Sequence, residues 1–216
     1  KKTKFTLAVV NNKEYLAENI KTFNGDRIVS KVDPSFIDID IEKQDIQICL
    51  NDTTDVNYCA MSIPVSTFEE NKDDAAALMA LSRITSGDYT HKQLREKAGA
   101  YGGYAKYSSS IGAFSLLTYR DPNITKSFET FKQVEQWLKN DIKINREKID
   151  SGIMQLVSSI DTPLLKVDKC ISAINKHLNG YSNEDIKYIR KAILNLTEDD
   201  IRRVINEQVL ANISKA

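Results

Sequence analysis

The sequence predicts an α+β fold, a mainly antiparallel sheet covered on one face by helices. Three observations lead there. Strand-like runs arrive as sequence neighbours joined by short turns, which favours antiparallel pairing. Helical periodicity then takes over and carries the chain to its end. Hydrophobic residues make up 41% of the 216 positions, enough to build one sizeable core. With no internal repeat, low-complexity tract or obvious linker, a single domain over residues 1–216 is expected. Its first part, residues 1–44, includes a connector or edge region.

In order along the chain, residues 5–10 are β-prone and residues 14–23 are helix-compatible until Asn24-Gly25 stops them. Residues 26–42 hold one proline and no helical period, and read as a connector with extended pieces. Residues 45–50 and 55–65 are two strand candidates separated by the polar turn Asn51-Asp52-Thr53-Thr54. A helix is expected over residues 72–84, carried by Ala75-Ala76-Ala77-Leu78 and Leu81, and a short helical piece around 90–97. The glycine-punctuated run 98–103 precedes strands at 104–107 and 112–119, joined through Ser108-Ser109-Ser110. Asp121-Pro122 reads as a helix start, with the aspartate as cap and Ile124, Phe128, Phe131 and Leu138 at helical spacing. Ile149, Ile153, Leu156 and Ile160 share the face of a further helix, stopped at Asp161-Thr162-Pro163. Val167, Ile171, Ile174 and Leu178 share the next, closed by Gly180. Ser182 with Asp185, and Thr197 with Asp200, carry capping-box spacing at two later helix starts.

Thirty basic residues balance thirty acidic ones. Nucleic acid or an anionic membrane as main partner would favour an excess of Lys and Arg, so both are disfavoured. The longest apolar runs are strand-sized, and membrane insertion is not expected. The opening residues lack the pattern of a signal peptide, and the missing initiator methionine suggests a piece of a longer protein. Cys49, Cys59 and Cys170 form no CxxC pair, and their odd number suits a reducing compartment. Buried thiols are expected, with a Cys49–Cys59 bridge as the alternative.

Chemistry is sparse. A catalytic zinc needs about three protein ligands, and the only histidines, His91 and His177, lie in different elements outside any H-E-x-x-H or H-x-x-E-H pattern. They read as surface or packing histidines, no nucleophile elbow or phosphate loop is present, and no independent active site is expected. The segment Gln93-Leu94-Arg95-Glu96-Lys97-Ala98-Gly99-Ala100-Tyr101-Gly102-Gly103 stands apart. Its glycines allow close approaches that side chains would block, and the turn between Arg95 and Tyr101 can aim both at one spot. A guanidinium fork and a phenol are donors of the kind that a developing oxyanion needs. The bland alternative pairs Arg95 with an acidic neighbour and packs Tyr101 on the sheet. Tyr104 and Tyr107 read as sheet-face packing, and Tyr119-Arg120-Asp121-Pro122 as a strand end and cap.

Followed by Gly112-Ala113-Phe114-Ser115 and Tyr119-Arg120-Asp121-Pro122-Asn123, this segment resembles the "REKGGAYGG … G-F-F … YRDP" signature. That signature belongs to the presequence-protease and falcilysin branch of the inverted-zinc-motif superfamily, which includes pitrilysin and insulin-degrading enzyme. Asp55-Val56-Asn57-Tyr58 and Val157-Ser158-Ser159-Ile160-Asp161-Thr162-Pro163 resemble its "QVNY" and "ISSLDxP" segments, so the likeness covers roughly residues 45–205. The resemblance implies the zinc-free C-terminal domain of a metallopeptidase that encloses short unstructured peptides. It implies that Arg95 and Tyr101 bind substrate and stabilise the tetrahedral intermediate, with Gly102 and Gly103 also at the substrate. Zinc and its glutamate base would sit in the N-terminal half of the same protein, leaving this chain metal-free and inactive alone. An organellar or cytoplasmic reducing compartment is implied. The sequence departs from the pattern at Ala98, where glycine is usual, and at Tyr104, where a small residue is common. The competing expectation is a non-catalytic scaffold relative, against which the intact Arg95 and Tyr101 speak.

Overall fold

The computed structural model describes residues 56–216. The expected elements before residue 51 lie outside them. The chain divides into two compact units, one comprising Thr54–Pro163 with Lys176–Ala216, the other including Leu164–Asn175. In the first unit, strands β1 (Ala60–Pro64), β2 (Gly102–Ser108) and β3 (Ala113–Tyr119) form a sheet in the order β1-β3-β2. Both pairings are antiparallel, with Ile63 opposite Phe114 and Tyr107 opposite Phe114 from the other side. The α+β expectation therefore holds. Burial alternates along the strands as their period of two requires: Phe114, Leu116 and Thr118 of β3 are buried.

That buried face packs on α1 (Lys72–Thr85), whose Asn71 cap accepts the Asp74 amide. Ala75, Ala76, Ala77, Leu78, Ala80 and Leu81 are fully buried, so this helix is enclosed on most sides. Its small residues let β2 and the later helices approach closely. The helix does not stop near residue 84. It runs into a π-wound segment, Ser86–Lys97, so the short helical piece expected at 90–97 is the end of one long element. Ser86 makes the continuation possible: its hydroxyl donates to the Ala105 carbonyl (2.9 Å) and accepts the Ala105 amide (2.8 Å), stitching the helix to β2.

After β3, α2 (Ile124–Gln136) is capped by Asn123, which accepts the Lys126 amide at 3.1 Å. Asp121 is not the cap. It is fully buried, where its carboxylate accepts the Ser127 hydroxyl and the Asn123 amide. Phe131, Val134 and Leu138 enter the core, whereas Ile124 and Phe128 remain exposed. Helices α3 (Arg146–Ile160), α5 (Asn183–Leu194) and α6 (Glu198–Val204) pack around α1, and both expected capping boxes form, at Ser182/Asp185 and Thr197/Asp200. Helix α4 (Lys166–Leu178) lies largely in the second unit. The buried Asp74 carboxylate is paired with Arg203 and accepts Gln208 Nε2 at 2.8 Å, while Gln208 accepts the Ser66 amide at 3.0 Å. This network joins the C-terminal helices to the start of α1. Cys59 is a buried free thiol, raised in pKa chiefly by burial, as expected for a cysteine packed as a small hydrophobe.

Tyr89 stacks on Trp137 at 4.9 Å and donates its hydroxyl to Thr130 O at 2.6 Å; Tyr107 donates to Ser66 O at 2.8 Å. Burial pushes both phenols above their ordinary value of 10.0. A folded-state pKa raised above the unfolded one contributes stability that is complete below pH 10.0 and declines as pH rises beyond it. Denaturant midpoints of the chain should therefore fall more steeply above pH 10.0, and the Tyr89→Phe/Tyr107→Phe variant should show a shallower fall there. An identical alkaline slope in that variant would exclude these two phenols as its origin.

Candidate functional site

The predicted residues gather where the π-wound segment turns into β2. The turn is drawn tight by Ala100, whose amide donates to Leu94 O at 3.0 Å, with Gly99 at φ 82 in the left-handed region that glycine tolerates. Tyr101 leaves this turn at the start of the sheet, its amide donating to Arg120 O at 3.3 Å. The structure thus brings Arg95 and Tyr101 to one junction, and both side chains are exposed. Their polar and ring contacts go to other neighbours. Arg95 Nη1 lies 3.1 Å from His91 Nε2, and His91 Nδ1 lies 3.2 Å from Glu96 Oε1. A guanidinium can only donate, so Nε2 accepts and the proton sits on Nδ1, facing the Glu96 carboxylate. His91 thus links Arg95 to an acid indirectly. Sequence reasoning left His91 as a surface or packing histidine. Its four-residue spacing from Arg95 within a helix was the available signal.

Tyr101 is 68% exposed, and its ring meets Tyr119 edge-on at a centroid distance of 5.9 Å. Tyr119 in turn meets Tyr58 edge-on at 5.5 Å. Gly102 and Gly103 are buried. A Cβ on Gly103 would lie 2.6 Å from Thr90 O and 2.7 Å from Leu94 Cβ, so the absent side chain lets β2 lie directly on the π-wound segment. A Cβ on Gly102 would run into the Tyr104 ring, 2.7 Å from its Cε2 and Cζ atoms. Tyr104 and Tyr107 were grouped as sheet-face packing, but they occupy opposite faces. Tyr107 is in the core, while Tyr104, half-exposed, stands on the open face. Register puts Tyr104, Lys106, Leu117, Tyr119, Ala60 and Ser62 on that face, where Ser62 and Ser115 hydroxyls meet at 2.7 Å.

A catalytic metal does not fit this site. Among the described residues no three His, Cys, Asp or Glu side chains converge where an ion could be held, and the His91–Glu96 pair falls short of the about three protein ligands of a catalytic zinc. Arg95 and Tyr101 each carry hydrogen-bond donors, exposed at the edge of the sheet face that bears Tyr104.

A family model described as the PreP C-terminal domain matches residues 49–214. The chain belongs to this family. The glycine-rich segment already resembled this presequence-protease branch. Among curated proteins, the mitochondrial presequence protease of Xenopus laevis is 31% identical over 159 residues, covering 72% of this chain and 14% of that protein. That of Drosophila melanogaster is 34% identical over 151 residues, covering 69% of this chain and 14% of that protein. The chain therefore spans about a seventh of the length of such relatives. Among solved structures, the inactive peptidase domain of a putative zinc protease from Bordetella parapertussis superposes with a TM-score of 0.58 at 13% identity, covering 72% of this chain and 87% of that one. A protease from Helicobacter pylori gives 0.56 at 19% identity, covering 73% and 39%. At such identities these two likenesses concern the fold alone. Among the described residues no helix is long and apolar enough to cross a membrane.

Proposed function

We propose that this chain is the zinc-free C-terminal half-chamber domain of a metalloendopeptidase that degrades short unstructured peptides, with Arg95 and Tyr101 as its contribution to the reaction. The family match over residues 49–214 carries the proposal. The exposure of both side chains at one junction supports it. Arg95 can offer the donors that His91 does not occupy to a substrate carbonyl or carboxylate, and Tyr101 adds a phenolic O–H. Donors aimed at the developing oxyanion lower the barrier more than donors that bind substrate and transition state alike. Gly102 and Gly103 belong to the same unit of function, because they fix the strand end from which Tyr101 projects. The 216 residues act as one domain in this scheme, and an N-terminal half of the same protein supplies the zinc and its glutamate base. The relatives named mitochondrial, and an odd cysteine count, favour an organellar, reducing compartment.

The parent protein should cleave an unstructured peptide, and deleting residues 49–214 should abolish cleavage while zinc content stays stoichiometric. The isolated chain, dialysed against trace zinc, should hold none and cleave nothing. A stoichiometric, EDTA-resistant zinc on the isolated chain would overturn the assignment. A parent protein without zinc or activity would instead identify a scaffold relative.

A further inference from the structure

An exposed phenol that must meet a substrate at one place needs something to hold its ring. Tyr101 is 68% exposed, and open surroundings leave a side chain free to visit its staggered rotamers. The geometry points to Tyr119 as the residue that positions the Tyr101 phenol, with Tyr58 holding Tyr119 in turn. This role rests on the substrate contact proposed for Tyr101.

The backbone makes the arrangement specific. Tyr119 ends β3 opposite Gly102, and Asp121 is fixed two residues on, exchanging backbone hydrogen bonds of 2.8 Å with Asn57 in both directions. Between these anchors Arg120 is forced to φ 49, a left-handed conformation uncommon for a side chain of its size. In that conformation its carbonyl accepts the Tyr101 amide. The strained residue thus brings the start of β2 beside the end of β3, with the two rings 5.9 Å apart and inclined at 65°. Tyr58, next to the Asn57–Asp121 bridge, meets Tyr119 at 5.5 Å and 71°. The three rings form an edge-to-face relay along the rim. Such contacts come from the ring quadrupole and need an aromatic ring, not a hydroxyl. Tyr119 therefore acts through its ring alone, and phenylalanine should replace it.

The test uses the full-length protein and an unstructured peptide. Tyr119→Phe should keep kcat near wild type, whereas Tyr119→Leu should lose about 10-fold in kcat, with KM changed by less than about 2-fold. Tyr58→Leu should show a smaller loss of the same kind. Any fall in melting temperature should be small beside the loss of kcat, since Tyr58 is 66% and Tyr119 42% exposed. A second readout is independent of turnover: fluorotyrosine placed at position 101 should show a fluorine resonance shifted by the neighbouring ring. Tyr119→Leu should move that resonance to the free-tyrosine position and sharpen it, while Tyr119→Phe should leave it in place. A Tyr119→Leu variant with full kcat beside a disabled Tyr101→Phe variant would overturn the positioning role, as would an unmoved resonance. If Tyr101→Phe is itself fully active, the substrate contact fails, and the resonance alone then decides whether Tyr119 holds the ring.

Discussion

Tyr101→Phe in the full-length protein should lower kcat by on the order of 100-fold, about 3 kcal/mol of transition-state stabilisation, with little change in KM. The substitution removes one hydroxyl and keeps the ring that meets Tyr119, so the rim geometry should survive. A donor that acts chiefly as charge develops on the oxyanion affects kcat more than ground-state binding. Arg95→Ala should differ in kind. It removes a fork of donors and also frees His91, which loses the guanidinium at its Nε2, so both KM and kcat should suffer. Zinc content should stay constant in either variant, since no metal-holding cluster of His, Cys, Asp or Glu exists among the described residues. If these residues were merely structural, turnover would stay near normal and any loss would follow a lowered melting temperature. Steady-state kinetics beside a melting curve separate the two outcomes, and a Tyr101→Phe enzyme with most of its kcat would remove the oxyanion role.

Much of the fold was legible because its signals are local. Capping boxes at Ser182 and Thr197 need only four residues each, and both form. The apolar run at 112–119 was read as a strand, and β3 forms there with Phe114, Leu116 and Thr118 turned inward. What was missed depended on partners remote in sequence. Asp121-Pro122 has the local form of a helix start, but Asn57, sixty-four residues earlier, pairs with Asp121 and Ser127 takes its carboxylate, leaving Asn123 as the cap. The passage through Ser86-Gly87 resembles a helix break until Ser86 finds both backbone groups of Ala105. The tight turn between Arg95 and Tyr101 was legible because the glycine-rich segment marks it within eleven residues. The ring of Tyr119 was not, because edge contacts across β2 and β3 depend on a register that the sequence does not state.

Gly103→Ala should destabilise the chain by about 3 kcal/mol, more than most single substitutions. The added methyl would meet Thr90 O at 2.6 Å and Leu94 Cβ at 2.7 Å, and neither can step aside. Thr90 and Leu94 are both fully buried, and the Thr90 hydroxyl is tied to Ser86 O at 3.2 Å. Nor can β2 retreat, because Gly103 pairs with Thr118 of the central strand, whose hydroxyl accepts the Cys59 amide at 2.9 Å. Relief must come from parting the π-wound segment from the sheet, which also disturbs the turn carrying Arg95 and Tyr101. Gly87→Ala, ten residues past Ala77 on the same long element, is the matched control. Nothing lies within 4 Å of its added Cβ, and alanine in a helical position gains about 0.5–1 kcal/mol over glycine. Denaturant titrations of both variants should therefore shift in opposite directions, Gly103→Ala downward and Gly87→Ala upward. Equal midpoints would mean that β2 does not rest on the π-wound segment as closely as the backbone distances require.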